Sequence, residues 1–174
     1  MKDGIKNIKE GITFAFDTDV NLVALFEYAH GSHENVKESM AYITVGTGIG
    51  LGLIVNGKMV HGLVHPEGGH IRVPILKDDE NFEGVCSFHK NCLEGLCTNV
   101  SIAKRLNKQV DDLPNESDEN EVWDKVGYYL GICCANLTLT LSIEKIVIGG
   151  GVMNRTILYE KIRKHFHDCL KGYI

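Results

Sequence analysis

The segment from His61 to Cys92 follows neither a helical nor a strand period, yet it holds four histidines and two cysteines. A loop that long has no apolar face with which to anchor itself, so something else must order it. Cys86, His89 and Cys92 follow a C-x2-H-x2-C spacing, and His70 stands sixteen residues before Cys86. Three soft or borderline ligands in one tight turn, with a fourth folding back, suit Zn²⁺ in a closed tetrahedral site. Cation binding then supplies folding free energy that the missing apolar face cannot. The competing reading is a coincidence of two buried thiols and two surface histidines. Cys133, Cys134 and Cys169 fall within helical patterns as small core residues, and Cys97 fits either description.

Around this segment the chain alternates. Ile12–Phe16 reads as a strand running into an acidic turn, Asp17-Thr18-Asp19, and then a helix from Val20 to Ala29 that stops at His30-Gly31. Ala41–Val45 is a short apolar strand. Leu51–Val55 and Lys58–Val60 flank Asn56-Gly57, a strong hairpin signal. One helix is expected over Leu93–Leu106, a solvated acidic stretch over Asp111–Asp124, and a long helix from about Asp118 to Leu141. Lys145–Ile148 reads as a buried strand, Gly149-Gly150-Gly151 as a turn, and Thr156–Leu170 as a final amphipathic helix. The class is α/β.

Size and charge narrow the functions. With 174 residues the chain can bury one sizeable core, and a net charge of −5 without a basic stripe argues against nucleic acid or an anionic membrane surface as partner. No run of about 18 apolar residues occurs, and Met1–Glu10 is charged, so a soluble, cytoplasmic protein with reduced thiols is expected.

Two glycine clusters offer close backbone approach. Gly46-Thr47-Gly48-Ile49-Gly50-Leu51-Gly52 lies between two strands, which excludes a Walker loop and a dinucleotide fingerprint. It is either a phosphate-binding loop, with Thr47 adding a hydroxyl, or a plain hairpin turn. Gly149–Gly151 is either a nucleotide contact or a tight strand-to-helix turn. Asp17 and Asp19, with Asn21 beside them, can cap a helix or poise one carboxylate as a base for a hydroxyl. Glu67 and Glu94 flank the metal candidates and can accept from sugar hydroxyls or simply face solvent.

These pieces resemble a known family. Val45–Leu53, the spacing to Gly62, and Pro66-Glu-Gly-Gly-His70 resemble the signature of the ROK family of repressors and sugar kinases. Asp17–Asn21, His65–Ile71, Cys86–Gly95 and Ile146–Arg155 look specifically like the ROK fructokinases. The resemblance implies an actin/hexokinase-like (ribonuclease H-like) fold that phosphorylates a hexose, fructose above others, using ATP with Mg²⁺ and a structural Zn²⁺. It assigns the catalytic base to Asp19 and sugar contacts to Asn21, Glu67, His70 and Glu94. Thr47, Gly48 and Gly50 fall on the phosphate side, and Gly150 and Gly151 on the adenosine side. His70, Cys86, His89 and Cys92 are the implied zinc ligands.

The chain also departs from the family. No Asp-Gly-Gly-Thr-Lys-like phosphate loop precedes Asp17, Asn99-Val100 replaces a Gly-Pro pair, and Ile143 replaces a proline. The expectation is therefore a truncated kinase. Residues 1–40 would be a remnant of the N-terminal lobe and 41–174 the C-terminal lobe, with the zinc loop over 61–95. The alternative is a catalytically dead sugar-binding or regulatory remnant. The absence of a helix-turn-helix segment speaks against a repressor, and a homodimer is left open.

Overall fold

The computed structural model describes residues 16–31 and 36–174. The strand expected over Ile12–Phe16 lies outside them except for Phe16, which is not in a strand. Helix α1 (Asp19–His30) is capped by Thr18, whose hydroxyl accepts the Asn21 N–H at 3.1 Å. Strands β1 (Met40–Val45), β2 (Ile49–Val55) and β3 (Lys58–Met59) follow as an antiparallel meander. Asn56 and Gly57 take positive φ angles of 53° and 69°, as a tight hairpin between twisted strands requires.

Helices α2 (Leu93–Cys97) and α3 (Asn99–Leu106) replace the single helix expected over Leu93–Leu106. The break is at Thr98, whose extended backbone (ψ 161°) ends α2 while its hydroxyl caps α3 through Ser101 N–H. Helix α4 (Val122–Leu141) begins four residues later than expected, after a 3₁₀ stretch over Val110–Asn115 that contains Pro114. Strand β4 (Lys145–Gly149) and helix α5 (Ile157–Leu170) complete the described elements.

The sheet order is β3-β2-β1-β4, with β4 parallel to β1. Glu144 anchors the pair by accepting the backbone N–H groups of Lys37, Glu38 and Ser39 on one carboxylate oxygen. The core fills one face of the sheet, where Ile43, Val45, Ile49 and Leu51 pack with Leu93, Leu96, Val126 and Leu130. Each such side chain stabilises the fold by about 1.5–3 kcal/mol. Helix α1 covers the opposite face through Val20 and Ala24. It can approach because Gly52 lies beneath it; a Cβ there would sit 2.6 Å from Ala24 Cβ and 2.8 Å from the Val20 carbonyl oxygen.

Strand β4 corrects the sequence expectation of a buried strand: none of its residues is buried. Among the described residues it is an edge of the sheet, and its apolar composition faces a cavity of about 490 Å³ lined by Ile143, Ile146, Ile148, Tyr159, Ile162 and Phe166. An apolar run reports that a strand exists, not how many neighbours it has. The loop from His61 to Cys92 contains only two 3₁₀ turns, Gly68–His70 and Lys77–Asp79. Its middle is clamped at Asp79, whose two oxygens take Arg105 Nε at 3.1 Å and Nη2 at 2.7 Å, while Tyr129 donates at 2.7 Å. Arg105 also stacks on Phe82, 3.8 Å from the ring centroid. Among the described residues no helix is long and apolar enough to cross a membrane.

Candidate functional site

The four metal candidates come together. His70, Cys86, His89 and Cys92 each offer a ligand atom, and these atoms all lie within 4.8 Å of one another. Cys86 Sγ is 3.7 Å from His70 Nδ1 and 3.9 Å from His89 Nδ1, and Cys92 Sγ is 3.6 Å from His70 Nδ1. A tetrahedron with Zn–S near 2.3 Å and Zn–N near 2.0–2.1 Å requires S···N edges of about 3.6 Å. Local backbone explains the geometry. Cys86 and Lys90 exchange backbone hydrogen bonds, with Lys90 at φ 56°, which closes a knuckle around His89. Leu93 N–H donates to the Ile71 carbonyl at 3.0 Å, which brings Cys92 beside His70. Burial pushes the Cys92 thiol up, and the neighbouring Cys86 sulfur adds to that, so the pair is suited to a bound cation rather than to two free thiolates.

Glu94 joins this cluster to the glycine loop. Its Oε2 accepts the Ile49 N–H at 3.1 Å, and its Oε1 lies 4.0 Å from His70 Nδ1. Asn99 N–H donates to the Gly46 carbonyl at 3.0 Å, which ties the start of α3 to the same loop. Thr47 is exposed at its tip, and no atom would crowd a Cβ on Gly46.

The two glycine turns are neighbours. Val45 ends β1 and leads into Gly46–Gly48; Gly149 ends β4, the parallel strand alongside, and leads into Gly150-Gly151. Both turns therefore lie at the carboxyl ends of adjacent parallel strands, where open α/β sheets bind ligands. Gly150 has φ 96°, and a Cβ there would strike the Val45 backbone at 2.5 Å; Gly151 faces open space. Gly50 differs from the others: Val20 of α1 packs 3.2 Å from where its Cβ would be, so its place is under the helix.

At the start of α1 the two aspartates are differently placed. Asp17 Oδ1 accepts from Thr18 N–H at 2.8 Å and Asn21 Nδ2 at 2.6 Å, and Oδ2 pairs with His61 Nε2 at 2.7 Å. Burial raises its pKa, but these three donors outweigh burial and hold the carboxyl below the usual range. Asp19 is exposed, and its carboxylate accepts from the Val20 N–H of its own turn at 2.9 Å. Asn21 is only 1% exposed, with its amide on Asp17, so it underlies the turn. Glu67 is half exposed and pairs with His65 at 2.8 Å.

The sequence patterns had not singled out His61 and His65, which bind two of the candidate carboxylates. Their only signal was the density of histidine in the loop. The partner of His61 lies 44 residues away, so no local spacing could indicate it.

Comparison with known proteins identifies the family and the fold. A profile of the ROK family matches residues 4–174. A fructokinase of Lactococcus lactis subsp. cremoris is 38% identical over 163 residues, which cover 94% of this chain and 54% of the relative. A fructokinase of Zymomonas mobilis subsp. mobilis is 37% identical over 164 residues, again 94% of this chain and 54% of the relative. A ROK family glucokinase from Streptomyces griseus, solved in complex with glucose and AMPPNP, superposes with a TM-score of 0.72 at 22% identity, over 98% of this chain and 62% of that one. That likeness establishes the fold, an α/β architecture shared with that glucokinase. The chain spans about half the length of the curated relatives it matches. With the profile running over all but its first three residues, the chain belongs to the ROK family.

Proposed function

We propose that this chain provides sugar- and nucleotide-binding elements of an ATP-dependent hexokinase of fructokinase type. The reaction would move the γ-phosphoryl group of Mg²⁺-ATP to a hydroxyl of fructose. The observation that carries this is the meeting of two glycine turns at adjacent parallel strand ends, with Glu94 joining the first turn to the ligand cluster and Asn99 tying it to the start of α3. The identity to fructokinases supports the choice of sugar.

Asp19 takes the proton from the attacking hydroxyl, since its carboxylate is exposed and Asp17 is committed to three donors. Glu67, His70 and Glu94 receive the sugar hydroxyls, and Asn21 supports the turn from beneath. Backbone amides at Thr47 and Gly48 approach the phosphates, and Gly150 and Gly151 the adenosine side. Phosphoryl transfer asks the protein mainly for positioning and charge neutralisation, which this set supplies. His70, Cys86, His89 and Cys92 would hold Zn²⁺ structurally; with Nδ1 of His70 on the cation, its Nε2 remains for a hydroxyl.

A second reading, sugar binding without turnover, draws on the chain spanning half the length of its relatives. A coupled assay with fructose and Mg²⁺-ATP, run with calorimetry, separates the two. The 174-residue chain is expected to bind fructose and turn over well below ~1 s⁻¹, the low end of ordinary enzyme rates. In a form extended to the relatives' length, Asp19→Asn should lower kcat by ~10²–10⁴-fold with KM nearly unchanged. Retained turnover there would remove Asp19 from the role of base.

A further inference from the structure

We propose that His61 is a positioning residue of the sugar site, acting through Asp17 to hold the turn that carries Asp19. The proposal rests on the fructokinase reading and adds to it a residue that the family motifs quoted above do not assign. Asp17 is the centre of the arrangement. One of its oxygens holds the turn internally, through Thr18 N–H and Asn21 Nδ2. The other is bound by His61, which stands two residues beyond β3, in a separate part of the chain. The Asp17 side chain is 9% exposed and the imidazole 51%, so the ring shields the carboxylate from water rather than sharing its burial.

The position of His61 matters as much as its chemistry. The strap from His61 to Glu67 leads directly into the Gly68–His70 turn that supplies the first metal candidate. At its far end, His65 engages Glu67 at 2.8 Å. One short segment thus grips the Asp19 turn at one end and a candidate sugar carboxylate at the other. Without His61, Asp17 Oδ2 would be solvated, and among the described residues the turn would keep its internal hydrogen bonds and the packing of Val20 on β2, neither of which fixes the exposed Asp19 end. Asp19 would then sample more directions relative to Glu67 and Glu94, and positional freedom at a reacting group costs rate and affinity.

Two measurements on the zinc-supplemented 174-residue chain test the proposal. The first is the side-chain amide signal of Asn21 by nitrogen-15 NMR, which needs no sugar. The second is fructose affinity by calorimetry. His61→Ala is expected to move the Asn21 signals and weaken fructose binding about three- to tenfold, the scale of one charge-assisted hydrogen bond discounted for a half-exposed ring. His61→Gln, which keeps a donor at similar reach, should recover both. Asn21 signals that stay put in His61→Ala overturn the proposal whatever the sugar does. Moved signals with unchanged affinity overturn it too, since the contact is then only structural. An affinity loss that Gln does not recover points to direct contact between His61 and the sugar, again against positioning. A chain that binds no fructose, while the Asn21 signals move and recover, upholds the linkage and removes the fructokinase reading instead.

Discussion

Cys86 and Cys92 are buried, as are Cys97, Cys133 and Cys134, whereas Cys169 is exposed. Burial alone pushes Cys133 up to about 12, and it drives Cys97 and Cys134 higher still, so these three carry negligible thiolate near neutrality. Cys86 and Cys92 differ because two imidazoles face them. An aromatic disulfide reagent should therefore modify Cys169 at once in the metal-loaded protein and nothing else quickly. Chelation should add Cys86 and Cys92, while the other three wait for global unfolding. Three fast thiols before any chelator is added would mean that no cation occupies the cluster. The clustering of His70, Cys86, His89 and Cys92 was legible in the sequence because three of them sit within seven residues, a local spacing. Asp17 and Asp19 were not separable that way, since the difference between them is made by His61, far along the chain.

Elements add what residue types cannot. The α2–α3 break at Thr98 was visible in principle, because Thr is a strong N-cap, but an unbroken apolar period from Leu93 to Leu106 outweighed it. The sheet edge at β4 was not visible, because strand order is a tertiary property. The loop clamp at Asp79 is equally nonlocal and gives a sharp expectation. Burial raises its carboxyl, but hydrogen bonds from Arg105 and Tyr129 outweigh burial and lower it below the ordinary value. A carboxylate with a folded-state pKa below its unfolded one stabilises above the unfolded value, and that contribution fades as pH falls through the folded value. Asp79→Ala should thus cost about 3 kcal/mol at pH 7, leaving Arg105 buried and unpaired. In urea unfolding the gap to the parent should shrink as pH drops below about 4; a gap that widens there would contradict the assignment. Gly52→Ala tests the other face of the sheet. Its methyl group would meet Ala24 and the Val20 carbonyl, so α1 must lift, at a cost of about 2 kcal/mol. Amide exchange should rise along α1 and hardly change along α4.

For the molecule as a whole, two kinds of order lie side by side. The sheet, α4 and α5 are held by a continuous apolar core in which Val126, Tyr129 and Leu130 are fully buried. The stretch from His61 to Cys92 reaches that core through Val73, with Ile71, Ile75, Leu76 and Phe82 packed beside it, and is otherwise held by specific ties: the ligand cluster, the Asp79 clamp, and the Leu93–Ile71 backbone bond. On the proposed zinc site, removing the cation should melt part of the protein and leave the rest, because the free energy of a metal bound there would be local folding free energy. Hydrogen exchange after chelation is expected to rise over Val85–Leu96 and Gly68–Ile71, while amides of α4 keep their protection. The loss should also reach Ile49, whose N–H is held by Glu94 next to His70, and in this way loosen the glycine loop at the end of β1. On the proposed function, weakened nucleotide contact would follow from that route through Glu94, although among the described residues none of the four cluster residues is hydrogen-bonded to the loop's amides. Exchange that rises uniformly would mean that the cluster belongs to the global core. Exchange that does not rise would mean that the clamp and the apolar packing around Val73 hold the loop, and that the four cluster residues contribute nothing to its order.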